Sequence, residues 1–141
     1  MKKILFLCTG NSCRSQMAHG FASAMHNEAW QCYSAGIVTH GVNTLAVQVM
    51  AEVGIDISHH TSQQLSEFEH INFDYVATVC DHAAQNCPDF QNAKQLIHKT
   101  FDDPPQLALG TKTSEEALVF FRQVRDEIQH WVANLPKQLT H

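Results

Sequence analysis

The chain of 141 residues has no apolar run near the ~18 residues that a membrane-spanning helix needs. It also lacks an excess of positive charge. Nine Lys and Arg stand against fourteen Asp and Glu, a formal net charge of −5. Proteins that live on nucleic acid or on anionic membranes carry the opposite sign, so neither is expected as a partner. An anionic ligand would have to be held by local geometry rather than by a global field. There is no internal repeat, low-complexity tract or linker, and one domain over residues 1–141 is expected. Charged residues are only 16% and hydrophobic ones 44%, which excludes a disordered tail protein. The basic start Met1-Lys2-Lys3 and the short run Ile4-Leu5-Phe6-Leu7-Cys8 do not make a signal peptide, because Gly10-Asn11-Ser12-Cys13-Arg14 follows at once. The cysteines number five, an odd count that disfavours a secreted disulfide scaffold. A cytoplasmic protein with buried or reactive thiols is expected.

What is present alternates between strand-like and helix-like segments. Residues 3–7 read as a buried strand. Met17, Phe21 and Met25 recur every four residues and mark a helix over 14–25. Residues 30–34 read as a second strand. Ala46, Val49, Met50 and Val53 line a second helix over 43–53, with Gly54 as its stop. Ile55-Asp56-Ile57 is extended. Residues 73–79 are β-branched and aromatic, a third strand. The stretch from Cys80 to Lys94 has no clear period, and Leu96-Ile97 begins a short fourth strand. Thr113-Ser114-Glu115-Glu116 is a capping box opening a helix to Ala133. Its buried stripe is Ala117, Phe121, Val124, Ile128 and Trp131/Val132, and its solvated face carries Arg122, Arg125, Asp126 and Glu127. Such an order predicts an α/β fold, a four-stranded parallel sheet with helices on both faces. Ligands of such sheets sit beyond the strands' carboxyl ends, where strand order reverses.

The segment Cys8-Thr9-Gly10-Asn11-Ser12-Cys13-Arg14-Ser15 joins the first strand to the first helix. Small, turn-prone residues let the backbone curl so that successive N–H groups point inward. The helix adds its unpaired N–H groups and the positive end of its dipole. Together they form a cradle for a tetrahedral oxyanion, with Arg14 as a planar fork for two oxygens. Thr9, Gly10, Asn11, Ser12, Cys13, Arg14 and Ser15 are the expected binding residues. Cys8 at the mouth is poised to attack the bound anion's central atom, and the Ser15 hydroxyl can donate to its thiolate. A nucleotide-binding loop would end in Gly-Lys-Ser/Thr, and no lysine is present.

With the following Gln16-Met17-Ala18, this loop resembles that of the low-molecular-weight protein tyrosine phosphatase fold. That family includes phosphatases and the thioredoxin-coupled arsenate reductases. Tyr33-Ser34-Ala35-Gly36, Glu52-Val53-Gly54-Ile55-Asp56-Ile57-Ser58, Thr78-Val79-Cys80-Asp81, Cys87-Pro88, Phe101-Asp102-Asp103-Pro104 and residues 121–128 are similar to the reductases. The resemblance implies a flavodoxin-like strand order 2-1-3-4, which would put Cys8 and Cys80 at the same crevice. Ester hydrolysis needs one thiol; this chain offers three on one path. Cys87 lies seven residues after Cys80, about two helical turns or roughly 10 Å, too far for a disulfide unless the segment rearranges. Zinc would want closer pairs and more ligands, so no metal site is expected.

The resemblance implies the following activity. Arsenate, for which phosphate and sulfate are analogues, sits in the cradle and is attacked by Cys8. Cys80 resolves the adduct, Cys87 resolves the Cys8–Cys80 disulfide, and thioredoxin resets the enzyme; a glutathione route would instead use a mixed disulfide. Asp103, held extended by Pro104, is implied as general acid, with Asp102 its less favoured neighbour. The alternative is a phosphatase that hydrolyses phosphate monoesters through a Cys8 phosphoenzyme; such enzymes place an aromatic after Asp-Pro, where this chain has Pro105. No tightly bound cofactor is expected, and a monomer is. Relatives that bind a structural potassium ion carry acidic residues near His19 and Gln63. Asn11, Ser34 and Thr61 remain here, and weak or absent potassium dependence is expected. Cys13 is expected to be buried and Cys32 to be core. His59 and His60 are expected to point apart as surface or loop residues.

Overall fold

The computed structural model describes residues 1–80 and 93–139. Four strands, β1 (Lys2–Cys8), β2 (Trp30–Gly36), β3 (Tyr75–Thr78) and β4 (Gln95–His98), form one parallel sheet in the order β2-β1-β3-β4. The helices are α1 (Arg14–Met25), α2 (Thr44–Glu52), the short α3 (Pro104–Leu107) and α4 (Ser114–Asn134). The expected sheet and its order are therefore present. β1 and β2 run longer than their apolar runs, and β3 is shorter than 73–79. Phe73 is nonetheless buried, just ahead of β3. Among the described residues no helix is long and apolar enough to cross a membrane.

β1 lies between two neighbours and is covered on both faces: Ile4, Leu5, Phe6 and Leu7 are wholly buried. Each such side chain contributes about 1.5–3 kcal/mol through burial. Phe6 meets Trp131 of α4 edge-on at 6.1 Å, so even positions face α1 and α4. Leu5 is in register with Tyr33, which packs on the opposite face against Phe68 of the 3₁₀ turn Leu65–Phe68 and against Phe73.

Two local expectations change. Half of the capping box forms as expected: Thr113 Oγ1 accepts from Glu116 N at 3.2 Å, but the Glu116 carboxylate takes the N–H of Lys112 instead. Arg125 is not on a solvated face. It is 8% exposed, and its guanidinium donates to Val49 O at 2.9 Å and to Glu52 at 2.8 Å. Arg122 adds a forked pair to the same carboxylate. A buried guanidinium needs such partners, and they tie α4 to the end of α2.

Strand order reverses between β1 and β3. Cys8 ends β1, and Cys80 lies two residues beyond the end of β3. This crevice holds the residues considered next.

Candidate active site

The loop after β1 is shaped by what its carbonyl groups bond to. Cys8 O accepts from Ile37 N, Thr9 O from Val38 N, Gly10 O from His40 N, and Ser12 O from Asn43 N. The Ser62 hydroxyl lies 2.9 Å from Gly10 O and 2.6 Å from Asn11 O. Cys13 O accepts from Met17 N, the first turn of α1. With the carbonyls turned outward, the amide N–H groups are left for the inside of the curl. Asn11, at φ 49, makes the left-handed turn that this needs; Asn is among the few side chains that tolerate it. Gly36 is required for closeness. A Cβ there would lie 2.4 Å from Val38 O and 2.6 Å from Asn11 N, both backbone atoms.

A directional hydrogen-bond chain ends on the Cys8 sulfur. Asn11 Oδ1 accepts from the main-chain N–H of Gln63 at 2.9 Å, which fixes the orientation of the amide. Asn11 Nδ2 then donates to Ser15 Oγ at 2.9 Å. The Ser15 hydroxyl is left to donate to Cys8 Sγ, also 2.9 Å away. The hydroxyl thus fixes where the sulfur stands at the end of β1. Cys13, in the same loop, is buried. Burial first, then the negative charges of Cys8 and Asp103, push its thiol well above the ordinary range against the pull of Arg14. It is therefore an inert neighbour. Cys32 is half-buried rather than wholly core, and burial raises it to about 11 despite a hydrogen bond from Ser23.

Cys8, Thr9, Gly10, Ser12, Cys13, Arg14 and Asp103 line one cavity of about 360 Å³. The wholly buried Asn11 and Ser15 support it from behind. Arg14 opens α1; it donates to Phe101 O at 3.1 Å and lies 3.8 Å from Asp103 Oδ1. Asp103 is extended, as a residue before proline should be, and its side chain makes no capping bond to α3 although it precedes it. Asp102 is exposed and does not line the cavity. Cys80 is buried at the rim, with Sγ 3.3 Å from Thr9 Oγ1. Cys87 lies outside the described residues.

His40, Asn43 and Pro105 also line the cavity. Sequence reasoning missed the first two. His40 carried no signal; its ring lies where a Cβ on Gly10 would come within 2.3 Å of Nδ1. Asn43 did carry one, since it caps α2 by accepting from Leu45 N and Ala46 N. Ser62 and Gln63, which brace the loop, lie in a segment without period.

Behind the loop sits a cluster that contradicts the expected separation of the histidines. His19 and His60 stack with ring centroids 4.6 Å apart, and His59 meets His60 at 4.8 Å. The segment turns back on α1 instead of running extended past it. Burial, helped by His60 and His59, lowers His19 to about 4. Three oxygens beside this cluster are hydrogen-bonded to protein groups. Asn11 Oδ1 and Thr61 O accept from Gln16 Nε2, and Ser34 Oγ pairs with His19 Nδ1. Among the described residues no group of three or more His, Cys, Asp or Glu is arranged to hold a metal ion.

Residues 3–141 match the family described as low molecular weight phosphotyrosine protein phosphatase. An arsenate reductase of Halalkalibacterium halodurans is 50% identical over 127 residues, covering 90% of this chain and 89% of the relative. Among solved structures, an arsenate reductase in the phosphate binding state superposes with TM-score 0.82 at 32% identity, covering 99% of this chain and all of the other. An arsenate reductase in the oxidized state gives 0.78 at 33% identity, with 99% and 100% covered. The chain thus belongs to the low molecular weight phosphotyrosine protein phosphatase family, and within that family it is similar to the arsenate reductases.

Proposed function

We propose that this protein reduces arsenate to arsenite by passing electrons along three cysteines. Arsenate is a tetrahedral oxyanion of the size and charge of phosphate, so the inward amides and Arg14 suit it. Cys8 Sγ attacks arsenic, an As–O bond breaks, and Asp103 supplies the proton for the departing water. Cys80 then attacks Cys8 Sγ. The S–As electron pair goes to arsenic, As(V) becomes As(III), and a Cys8–Cys80 disulfide remains. Cys87 attacks Cys80, releases the Cys8 thiolate and leaves Cys80–Cys87. A dithiol protein of the thioredoxin class returns both thiols by exchange. Such a cycle suits the reducing cytoplasm and needs no tightly bound cofactor.

The observation that carries this reading is the second thiol at the rim, Cys80 Sγ at 3.3 Å from the residue after the nucleophile. Ester hydrolysis has no use for it. Support also comes from relatives named for arsenate reduction at half-identity over nine-tenths of the chain. The test is mass spectrometry of disulfides after one arsenate turnover without reductant. Cys80–Cys87 is expected in the native protein, and no disulfide cycling in Cys80→Ser. Full multiple-turnover activity of Cys80→Ser would overturn the relay.

The second reading is a phosphatase working through a Cys8 phosphoenzyme. It is favoured by Cys8, Arg14 and Asp103 lining one cavity, which is all that hydrolysis requires. Turnover of p-nitrophenyl phosphate that outpaces thioredoxin-dependent arsenate reduction would select it; slow residual hydrolysis is expected in either case.

A further inference from the structure

Asn43 lines the same cavity as Cys8, Arg14 and Asp103. It is anchored from two sides. Its main-chain N–H donates to Ser12 O at 2.9 Å, which ties it to the loop after β1. Its side chain caps α2: Oδ1 accepts from Leu45 N at 2.8 Å and from Ala46 N at 3.1 Å. Main-chain N–H groups only donate, so the amide oxygen belongs on the helix and the nitrogen points away from it. α2 is itself held in place. Ala46, Val49 and Met50 are wholly buried, and Arg125 donates to Val49 O. Nδ2 is therefore a neutral donor whose direction is set before any ligand arrives.

Three oxygens of a tetrahedral anion fit the inward amides and the Arg14 fork. Displacement by Cys8 places the departing oxygen opposite the sulfur, so the fourth oxygen faces outward. The wall it meets is made by His40, Asn43, Asp103 and Pro105. Proline has no N–H to offer. Asp103 has one proton to give, and once ionised its carboxylate repels the anion. The His40 ring stands against Gly10, with Nδ1 where a Cβ would come within 2.3 Å of it. Asn43 thus adds a donor that does not depend on protonation. An oxygen bonded only to arsenic or phosphorus is charged or hydroxylic and accepts well. An ester oxygen, bonded also to carbon, accepts poorly and brings a bulky group to the same place.

Building on the assignment of the cavity as the arsenate site, we propose that Asn43 is a substrate-contacting residue that sets specificity. Its Nδ2 donates to the outward oxygen, and this favours anions with four free oxygens, arsenate and phosphate, over phosphate monoesters.

The test compares Asn43→Ser and Asn43→Asp with the native full chain. Ser and Asp cap helices as well as Asn does, so α2 keeps its start and urea unfolding should give native midpoints. Ser withdraws the Nδ2 arm, whereas Asp puts a carboxylate oxygen in its place. Binding of inorganic phosphate is measured by calorimetry, and KM for arsenate and for p-nitrophenyl phosphate from initial rates. Asn43→Ser is expected to weaken phosphate about five- to tenfold, the worth of one partly solvated hydrogen bond, and to raise KM for arsenate by a similar factor. Its KM for the ester should change less than about twofold. Asn43→Asp should weaken phosphate more than about tenfold, because a like charge now faces the anion. Native phosphate affinity in both variants would overturn the proposal. So would equal losses for phosphate and ester, which is what a displaced loop produces. Calorimetry with phosphate needs no turnover, so a chain that fails to reduce arsenate refutes the reductase reading and still reports on Asn43.

Discussion

Acidification should destabilise this protein through His19, and the size of the effect follows from its surroundings. An unfolded histidine titrates near 6.5, whereas burial and the neighbouring His60 and His59 bring His19 to about 4. The unfolded chain therefore binds the proton first. The stability tied to neutral His19 is fully present above about pH 6.5 and is lost as pH falls toward about 4. Integrating that difference from about pH 7.5 to about pH 4.5 gives about 2.5 kcal/mol, a large share of the ~5–15 kcal/mol of a typical domain. His60, also lowered, adds in the same direction. The comparison is native protein against His19→Gln, which keeps a partner for Ser34 but does not titrate. Urea unfolding in the presence of a thiol reductant at several pH values gives both stabilities. The native protein should lose about 2.5 kcal/mol more than His19→Gln over that range. Parallel pH slopes for the two proteins would refute the reasoning.

Gly36→Ala places a methyl group against Val38 O and the Asn11 amide, neither of which can swing away. Phosphate binding, measured by calorimetry, should weaken at least tenfold, about 1.4 kcal/mol, while Gly110→Ala, where a Cβ meets nothing, leaves it unchanged. Arg125→Ala leaves Val49 O without its donor and takes from Glu52 one of its two guanidinium partners at the α2–α4 contact. Urea unfolding should show a loss of about 2–4 kcal/mol, against under 1 kcal/mol for the more exposed Arg122→Ala. Because Gln16 and His19 already occupy the relevant oxygens, arsenate turnover should be equal in sodium and potassium buffers of matched ionic strength. A large potassium activation would show that these side chains give way to the ion.

Much of the fold and loop could be read from the residues alone, for local reasons. The run Ile4–Leu7 is apolar on both faces, which only a covered central strand tolerates. The order of strands and helices implied a parallel sheet. Cys8, Gly10, Asn11 and Arg14 lie within one strand–loop–helix unit, so their relation is set by sequence neighbours. The Asp103–Pro104 geometry is equally local. What required the tertiary structure are groups brought together from distant segments. Arg125 looks like one more charge on a polar helix face until α2 presents Val49 O and Glu52 to it, 76 and 73 residues away. His40 and Asn43 reach the cavity because their backbone pins the loop's carbonyls. His19 and His60, 41 positions apart, stack because residues 59–63 turn back onto α1 behind the loop. The sequence determined the chemistry available at the end of β1. Only packing decided which remote imidazoles, amides and thiols stand behind it and beside it, because such contacts depend on where whole segments dock rather than on the spacing of neighbours.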